Sequence, residues 1–455
     1  MTRSITLEQG RPLRHGRRRP RAFAAAGLGL ALGVPLAVAP VATPGAAAAT
    51  AAGAGTHSGA TTTVARAAAR QIAYRGFDTG AQLKSGTATG VLVRQGRLHL
   101  APPAAPSTGP TSGQSSGRAP TTSTRLVGST RYEQGTWDSP WVTPGFSFTE
   151  LIPSWSARTP GNSFIEIRLR GRDASGRLSS WDVVARWAAT DRYLRRTSFG
   201  TQPDDLASLA VDTWRASAGL AAYQVRVTLA RRAGGSAAPT LDSVGAVASR
   251  LPTTAGPTSK PGSARGTVLD VPRYSQMIHR GHYPAWDGGG EAWCSPTSTS
   301  MVLGYYDRLP AAREYAWVPA GHVDPWVDFA ARSTYDVAYQ GAGNWPFNVA
   351  YAAPRIGHGY VTRLRSLREA EPFLLAGVPL VASLAFARGQ LTGAPISSTA
   401  GHVLVIVGLT ATGDVVVNDP ASTSRAGVRR TYDRAEFERA WLEGSGGTVY
   451  VLQRR

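Results

Sequence analysis

Hydrophobic and polar residues alternate strictly over several short stretches in the first half of the chain. Such a period of two is typical of strands that bury one face. Turn residues separate these stretches at the intervals expected for an all-β sandwich, and the stretches are 90–93, 97–100, 146–152, 163–170 and 223–229. We therefore predict a β-sandwich over residues 71–250. Within it, residues 101–124 are rich in proline, serine, threonine and glycine and predict a disordered loop.

The second half of the chain mixes the patterns of helices and strands. Capping boxes at Ser366 and Asp433 predict the starts of two helices. Hydrophobic runs predict strands at 380–386, 402–409, 415–418 and 448–453. Helices combined with an antiparallel sheet give an α+β layout. We expect this domain to cover residues 266–455 and a proline-containing linker to cover residues 251–265.

The first 49 residues have the features of an export signal. A basic segment carries six arginines between Arg11 and Arg21, an apolar segment follows, and alanines at 46–49 offer a cleavage site. The arginine run would suit twin-arginine export, although ordinary secretion stays open. Residues 50–70 then predict a flexible leader. We expect a secreted, extracellular protein with no transmembrane domain in the mature chain.

The chain of 455 residues has a formal net charge of +20 at pH 7. Because the first 50 residues carry seven arginines and one glutamate, the mature chain would keep about +14. Its arginines are spread along both domains and are not interleaved with aromatic residues, so we expect no nucleic acid partner. Anionic cell-wall polymers are a better electrostatic match, and a solvated basic surface without a partner is a better explanation still.

The chain contains a single cysteine, Cys294, which therefore cannot belong to an intramolecular disulfide. Pro296 suits the first turn of a helix. The hydrophobic residues that follow recur at helical spacing, at Met301, Val302, Tyr305 and Leu309. Cys294 thus lies at or just before a helix N-terminus, where the helix dipole and unpaired N–H groups stabilise a thiolate. The alternative is a small buried hydrophobic residue, the commonest role of a free cysteine, and this segment alone does not separate the two.

A cysteine nucleophile needs a base and a residue that orients the base. One predicted hairpin supplies both, since its first strand begins at His402 and its second strand leads into Asp419. Taken alone, His402 is best explained as a strand-end histidine that is satisfied locally, and Asp419 as part of a turn. Their combination with Cys294 is far less expected by chance, so we predict a catalytic constellation of the three.

The register of this hairpin decides whether His402 and Asp419 meet. If Leu409 faces Asp414 across the turn, the same register puts Leu404 opposite Asp419. That position is one diagonal step from His402 on the same face, about 7–8 Å away at the backbone. A shift by one residue would place the two side chains on opposite faces.

Four segments of the chain resemble the secreted C39-like cysteine peptidases, which are related to the bacteriocin-processing peptidases of the papain-like fold. They are Val-Pro-Arg-Tyr-Ser-Gln at 271–276, Trp-Cys-Ser-Pro-Thr-Ser at 293–298, Gly-His-Val-Leu-Val-Ile at 401–406 and Val-Asn-Asp-Pro at 417–420. The resemblance extends over residues 266–455 and implies a papain-like fold there. The preceding sandwich resembles the module that accompanies this domain in secreted actinobacterial relatives.

The resemblance also implies roles for individual residues. Cys294 would be the nucleophile, His402 the general base and then the general acid, and Asp419 the residue that orients the histidine. Gln276 would form the oxyanion hole together with the backbone N–H of Cys294. Ser295 departs from the family pattern, in which glycine is commonest after the cysteine.

Further candidates lie near Cys294 or in an aromatic and polar loop, and we expect them to line the cleft: Glu291, Trp293, Asn344 and Trp345. His279 and His282 are close in sequence, but no cluster of cysteine, aspartate or glutamate completes a metal shell. We therefore assign no metal, and we expect no cofactor.

These features predict a thiol hydrolase that cleaves peptide bonds of peptides or proteins through an acyl-enzyme on Cys294. The alternative is a cell-surface protein that binds wall glycans through its sandwich and has a catalytically idle papain-like domain. Tryptophans would either stack on sugars or fill the core, and they are at positions 137, 141, 155, 181, 187 and 214. A third hypothesis is an enzyme with the same thiol chemistry that acts on peptidoglycan stem peptides or transfers the acyl group to an amine.

Overall fold

The computed structural model of the chain describes residues 69–102, 122–200, 202 and 205–455. The expected export signal lies outside the described residues, as do nearly all of the leader and most of the loop predicted at 101–124. The end of that loop differs from the prediction, because a strand begins at Ser123. None of the helices in the described part of the chain is long and apolar enough to cross a membrane.

The alternating segments of the first half form fourteen strands and one short helix among the residues that the structure describes. In chain order they are β1 (Gln71–Phe77), α1 (Gly80–Lys84), β2 (Thr87–Thr89), β3 (Val91–Arg94), β4 (Arg97–Leu100), β5 (Ser123–Val127), β6 (Thr130–Asp138), β7 (Phe148–Arg158), β8 (Ser163–Arg172), β9 (Asp182–Trp187), β10 (Thr197–Ser198), β11 (Ser208–Ala210), β12 (Thr213–Leu220), β13 (Ala222–Arg232) and β14 (Thr240–Arg250).

These strands build two antiparallel sheets of seven strands each. One sheet has the order β11-β12-β7-β14-β4-β3, with β1 also paired to β14. The other has the order β10-β9-β8-β13-β6-β2, with β5 also paired to β6. Hydrophobic residues of both sheets pack into one core, as in a sandwich, so the predicted fold class of this region is confirmed.

Tryptophans fill the sandwich rather than project from it. Four of the six are fully buried, at positions 137, 155, 187 and 214. The other two, Trp141 and Trp181, are half-buried. Arg172 lies 4.8 Å from the ring centroid of Trp141, and Arg226 lies 4.3 Å from that of Trp181. These two rings are thus engaged in cation–π contacts, and the tryptophans give little support to a sugar-binding surface.

The second half of the chain is an α+β domain, as predicted. Its elements are α2 (Cys294–Tyr305), α3 (Pro325–Thr334), α4 (Trp345–Ile356), β15 (His358–Arg363), α5 (Leu367–Leu375), β16 (Leu380–Phe386), β17 (Thr399–Leu409), β18 (Val415–Asn418), α6 (Arg425–Val428), β19 (Arg429–Tyr432), α7 (Arg434–Ser445) and β20 (Thr448–Gln453). Three short 3₁₀ helices accompany them, at Gln276–His279, Gly290–Ala292 and Ala312–Glu314. The strands form one antiparallel sheet in the order β15-β20-β16-β17-β18-β19.

Most of the sequence patterns in this domain predicted its strands and helix starts correctly. Strands β16, β18 and β20 have the predicted bounds. The carboxylate of Asp433 accepts hydrogen bonds from two N–H groups of α7, which confirms that cap. At Ser366 the predicted capping box is wrong, because the carboxylate of Glu369 accepts from the N–H of Arg365 instead, at 2.8 Å.

The two domains share one hydrophobic core. Phe347, in the first turn of α4, lies 6.1 Å from Trp155 on β7 and 5.2 Å from Trp187 on β9, measured between ring centroids. All three side chains are buried. Close by in sequence, Arg332 on α3 makes two hydrogen bonds of 2.9 and 3.0 Å to the carboxylate of Asp191 in the sandwich. The sandwich therefore contributes directly to the packing of the helices around Cys294.

The predicted linker at 251–265 is bonded along the surface of the second domain. The N–H of Ser259 donates to Glu438 and the N–H of Gly262 donates to Glu371, both at 2.7 Å. Near the end of the linker, the side chain of Ala264 is buried. The linker is therefore an ordered part of the surface of the second domain.

We expect Phe347→Ala to lower the free energy of unfolding by about 3–5 kcal/mol, because it removes a buried aromatic ring from the shared core. Urea denaturation followed by tryptophan fluorescence measures this change. Leu126→Ala is the matched control, since Leu126 is 62% exposed and should change stability by less than about 0.5 kcal/mol. Similar effects of the two substitutions would show that the domains do not share a core.

Candidate active site

Cys294 is the first residue of helix α2, which confirms the predicted helix start. Every residue from Ser295 to Leu303 is buried, so the helix runs through the interior. Small hydroxyl side chains anchor it there: Ser298 donates to the backbone carbonyl of Val403 at 3.1 Å, and Ser295 bonds to the hydroxyl of Tyr450 at 2.9 Å. The helix thus places the thiol beside the strand that carries His402.

Near His402 the hairpin of β17 and β18 has the predicted register, but an irregularity in β17 that was not predicted produces it. At the turn Leu409 faces Val415, so the predicted pairing of Leu409 with Asp414 is wrong. A β-bulge between Ile406 and Gly408 then shifts the pairing by one residue. Beyond the bulge Val405 faces Asn418, and continuing this register brings the next residue, Asp419, to the predicted position.

The structure brings His402 and Asp419 into direct contact. Nε2 of His402 lies 2.8 Å from Oδ1 of Asp419, and both side chains are buried. Oδ1 also accepts from the N–H of Ala421 at 3.0 Å, and Oδ2 accepts from the hydroxyl of Tyr432 at 2.7 Å. Asp419 is therefore held by three donors. Tyr432 is a residue that sequence reasoning missed, because it reaches the site only through the pairing of β19 with β18.

Charge pairing dominates the protonation of these two groups. Burial alone lowers the pKa of His402, but the Asp419 carboxylate and a hydrogen bond with the side chain of Cys294 outweigh it and raise the pKa to about 10. Burial alone would raise the pKa of Asp419, but the charge of His402 and the donated hydrogen bonds hold it below its usual value. The favoured state is therefore an imidazolium facing a carboxylate, with a positive His402 beside Cys294.

A cavity of about 720 Å³ brings most of the predicted residues together. Its lining includes Gln276, Glu291, Cys294, Asn344, Trp345 and His402. Asp419 lies behind His402. Trp293 differs from the prediction: it is fully buried, donates from Nε1 to the backbone carbonyl of Trp286 at 2.8 Å, and packs against hydrophobic side chains of the interior. Its prediction as a cleft residue is wrong because the turn before α2 points its ring inward.

Gln276 is tied to two sides of the site. Its backbone N–H donates to the carbonyl of Pro420 at 2.9 Å, next to Asp419. Its side-chain amide donates one N–H to the backbone carbonyl of Glu291, three residues before Cys294. No described residue accepts the second N–H of this amide, which leaves it available to a ligand in the cavity that Gln276 lines, as an oxyanion donor requires.

One wall of the cavity comes from the sandwich. The turn between β11 and β12 places Val211 and Asp212 on the lining, together with Arg215. Val211 has a φ of +55°, a left-handed conformation that is a genuine outlier for a β-branched residue. Asp212 accepts from the N–H of Trp345 at 3.1 Å, and burial raises its pKa to about 6. Sequence reasoning missed this wall because it treated the sandwich as a separate module.

Comparison with protein families agrees with this architecture. Residues 73–249 match the model of the Peptidase C39 N-terminal domain, and residues 268–449 match that of the Peptidase_C39 like family. The chain carries a C39-like peptidase domain behind a C39 N-terminal module. The predicted resemblance is thereby confirmed. A search of curated proteins found no match.

We expect iodoacetamide to alkylate Cys294 more slowly in His402→Ala than in the unmodified protein at about pH 7, because the variant lacks the positive charge beside the thiol. His402, with its raised pKa, keeps this charge until the pH approaches about 10, so the difference between the two proteins should narrow as the pH approaches that value. Equal rates of the two proteins at about pH 7 would identify an inert thiol.

We expect Tyr432→Phe to raise the pKa of Asp419 towards its usual value, because one of the three donors to its carboxylate is lost. Carbon-13 NMR of the labelled aspartate carboxylates against pH measures this change. Tyr132→Phe is the matched control, since that buried hydroxyl bonds to Asn162 in the sandwich. An unshifted pKa of Asp419 in Tyr432→Phe, or an equal shift in the control, would rule out a positioning role for Tyr432.

Proposed function

We propose that this chain is a thiol hydrolase that cleaves peptide bonds through an acyl-enzyme on Cys294. The observation that carries the proposal is the hydrogen-bonded chain from Cys294 through His402 to Asp419, placed at a helix N-terminus in the wall of the cavity. A thiol paired with an oriented imidazole is the arrangement that nucleophilic catalysis requires. The family match of this domain to the C39-like peptidases supports the same reaction class.

In the first half of the proposed reaction, the Cys294 thiolate attacks the carbonyl carbon of the substrate. The carbonyl oxygen gains negative charge, which the backbone N–H of Cys294 and the free amide N–H of Gln276 would stabilise. As the C–N bond breaks, His402 gives its proton to the leaving amine. Nε2 of His402 is occupied by Asp419, so Nδ1 is the nitrogen that faces the thiol and transfers this proton.

In the second half, the neutral His402 takes a proton from water, and the resulting hydroxide attacks the thioester carbon. The bond from Sγ to carbon breaks, which releases the acid product and restores the thiolate and imidazolium. Asp419 stabilises the imidazolium in both halves and fixes the plane of the ring. Its three hydrogen bonds make it a rigid partner for this role.

We further propose that the substrate is an extended peptide segment that binds between the two domains. The cavity is bounded by Trp345 and Asn344 on one domain and by Val211 and Arg215 on the other. Its mixture of an aromatic ring, a cation and an amide suits a peptide with polar side chains. Export of the chain, with action outside the cell, is part of the same proposal and rests on the basic and apolar pattern of the first 49 residues.

Cys294→Ala and His402→Ala should each abolish hydrolysis of a quenched-fluorescent peptide library. The first substitution removes the nucleophile, and the second removes the group that transfers protons. Asp419→Asn should lower the rate by about 10- to 1,000-fold without abolishing it, because the histidine loses its orienting charge. Asp414→Asn, on the turn of the same hairpin, is the matched control and should retain the full rate.

Circular dichroism establishes that each variant is folded before its rate is compared. Full turnover in a folded Cys294→Ala or His402→Ala variant would refute the proposed mechanism. A wild-type rate in Asp419→Asn would assign the orientation of His402 to another group. Asn418 does not serve as that group here, since its side-chain amide donates to the backbone carbonyls of Val271 and Pro272 at 3.0 and 3.1 Å.

A further inference from the structure

Three histidines surround one buried carboxylate on the loop side of the domain. Asp328 on α3 is fully buried, and its Oδ2 lies 3.0 Å from Nδ1 of His279. Its Oδ1 lies 2.9 Å from Nδ1 of His282 and 3.4 Å from Nδ1 of His322. No carboxylate could be assigned to His279 and His282 from the sequence, and the fold supplies one from a residue 46 positions beyond His282.

The Nδ1 atoms of three histidines therefore lie close to the two oxygens of one carboxylate. Among the residues that the structure describes, no arginine or lysine is paired with Asp328 in an ion pair. Nδ1 of His322 is itself buried and makes no hydrogen bond with any described residue, although it is directed at this carboxylate. A neutral imidazole lone pair left unpartnered beside a buried anion is a costly arrangement, and a cation between them would remove the cost.

The spacing of these atoms matches a small divalent cation. Donor atoms around a tetrahedral zinc ion lie about 3.3 Å apart, given bonds of about 2.0 Å, and the three distances from nitrogen to oxygen bracket this value. The rings of His279 and His282 are perpendicular, with centroids 5.3 Å apart, so both can present Nδ1 to one ion without a clash. His279, His282 and Asp328 have one donor atom each within 4.8 Å of the others.

Aromatic rings pack around the histidines of this cluster. The ring of His322 stacks on that of His282 with centroids 3.7 Å apart. Tyr283 lies 6.0 Å from the ring of His322, and Trp293 lies 6.1 Å from that of His279. Aromatic side chains around a site restrict water and fix the ligand rings.

We propose that His279, His282 and Asp328 bind a zinc ion, with a water molecule that can donate a hydrogen bond to Nδ1 of His322 as the fourth ligand. Neutral imidazoles and one carboxylate form a ligand set that suits zinc. The ion joins the 3₁₀ helix Gln276–His279 to helix α3, and it thereby fixes one end of the loop that leads from Gln276 to Cys294. Its role is to hold this loop in place.

The test measures zinc on the untagged full-length protein in the Cys294→Ala background, so that the only thiol cannot bind the metal. The protein is stripped with a chelator, incubated with zinc chloride, passed through gel filtration and analysed for metal by mass spectrometry. We expect one zinc ion per chain and a melting temperature that rises with zinc. No retained zinc, or no thermal shift, would overturn the proposal.

Single substitutions in that background assign the ligands. His282→Ala, at a half-buried position, should weaken zinc binding by at least about 10- to 100-fold, and Asp328→Asn should do the same by removing the charge. His358→Ala is the matched control, since that histidine is buried elsewhere and faces Asp78 at 3.7 Å. Unchanged binding in both folded ligand variants, or an equal loss in the control, would place the ion elsewhere and refute the site.

A second readout covers the case in which a ligand variant fails to fold. Cobalt(II) chloride replaces zinc chloride in the Cys294→Ala protein, and its visible absorption reports the coordination geometry. Intense tetrahedral bands would support the proposed shell of nitrogen and oxygen ligands. Weak octahedral absorption, as for cobalt in water, would contradict it. Neither readout depends on hydrolysis, so the zinc site and the proposed hydrolase are tested separately.

Discussion

The hydrogen bond between His402 and Asp419 depends on one extra residue in strand β17. Side chains alternate across a strand, so the register that Leu409 and Val415 adopt at the turn would send the two functional side chains to opposite faces. The bulge between Ile406 and Gly408 restores the required register before the strand reaches His402. The proposed base and its orienting carboxylate therefore meet because of a local irregularity in an otherwise regular hairpin.

The bulge is in turn supported by the chain that enters the domain from the linker. The N–H of Leu269 donates to the carbonyl of Val407 at 2.8 Å, and the N–H of Leu409 donates to the carbonyl of Thr267 at 2.9 Å. This close approach needs a glycine, since a Cβ on Gly408 would lie 2.2 Å from the carbonyl oxygen of Thr267. The segment that directly follows the linker is thus part of the framework of the site.

Much of this architecture could be predicted from the sequence. The features that were not predicted have a common cause. The lone Cys294 at a helix start, the hairpin of His402 and Asp419, and the bounds of β16, β18 and β20 are local features that period and capping reveal. Tyr432, Val211 and Asp328 act across strands, domains and helices that are distant in sequence. The pattern of a single sequence predicts contacts within one helix or strand. It does not predict which helices and strands pack against each other.

The position of Gln276 shows how these distant contacts combine. Its backbone N–H is hydrogen-bonded to Pro420 and its side chain to Glu291. The position of Gln276 therefore depends both on the turn after Asp419 and on the segment that leads to Cys294. The same 3₁₀ helix ends at His279, whose ring is bonded to Asp328. Gly290 permits this loop to close, because a Cβ there would lie 2.0 Å from the carbonyl oxygen of His279. The proposed oxyanion donor is therefore placed by three separate contacts, and an error in any one of them would displace it from the thiol.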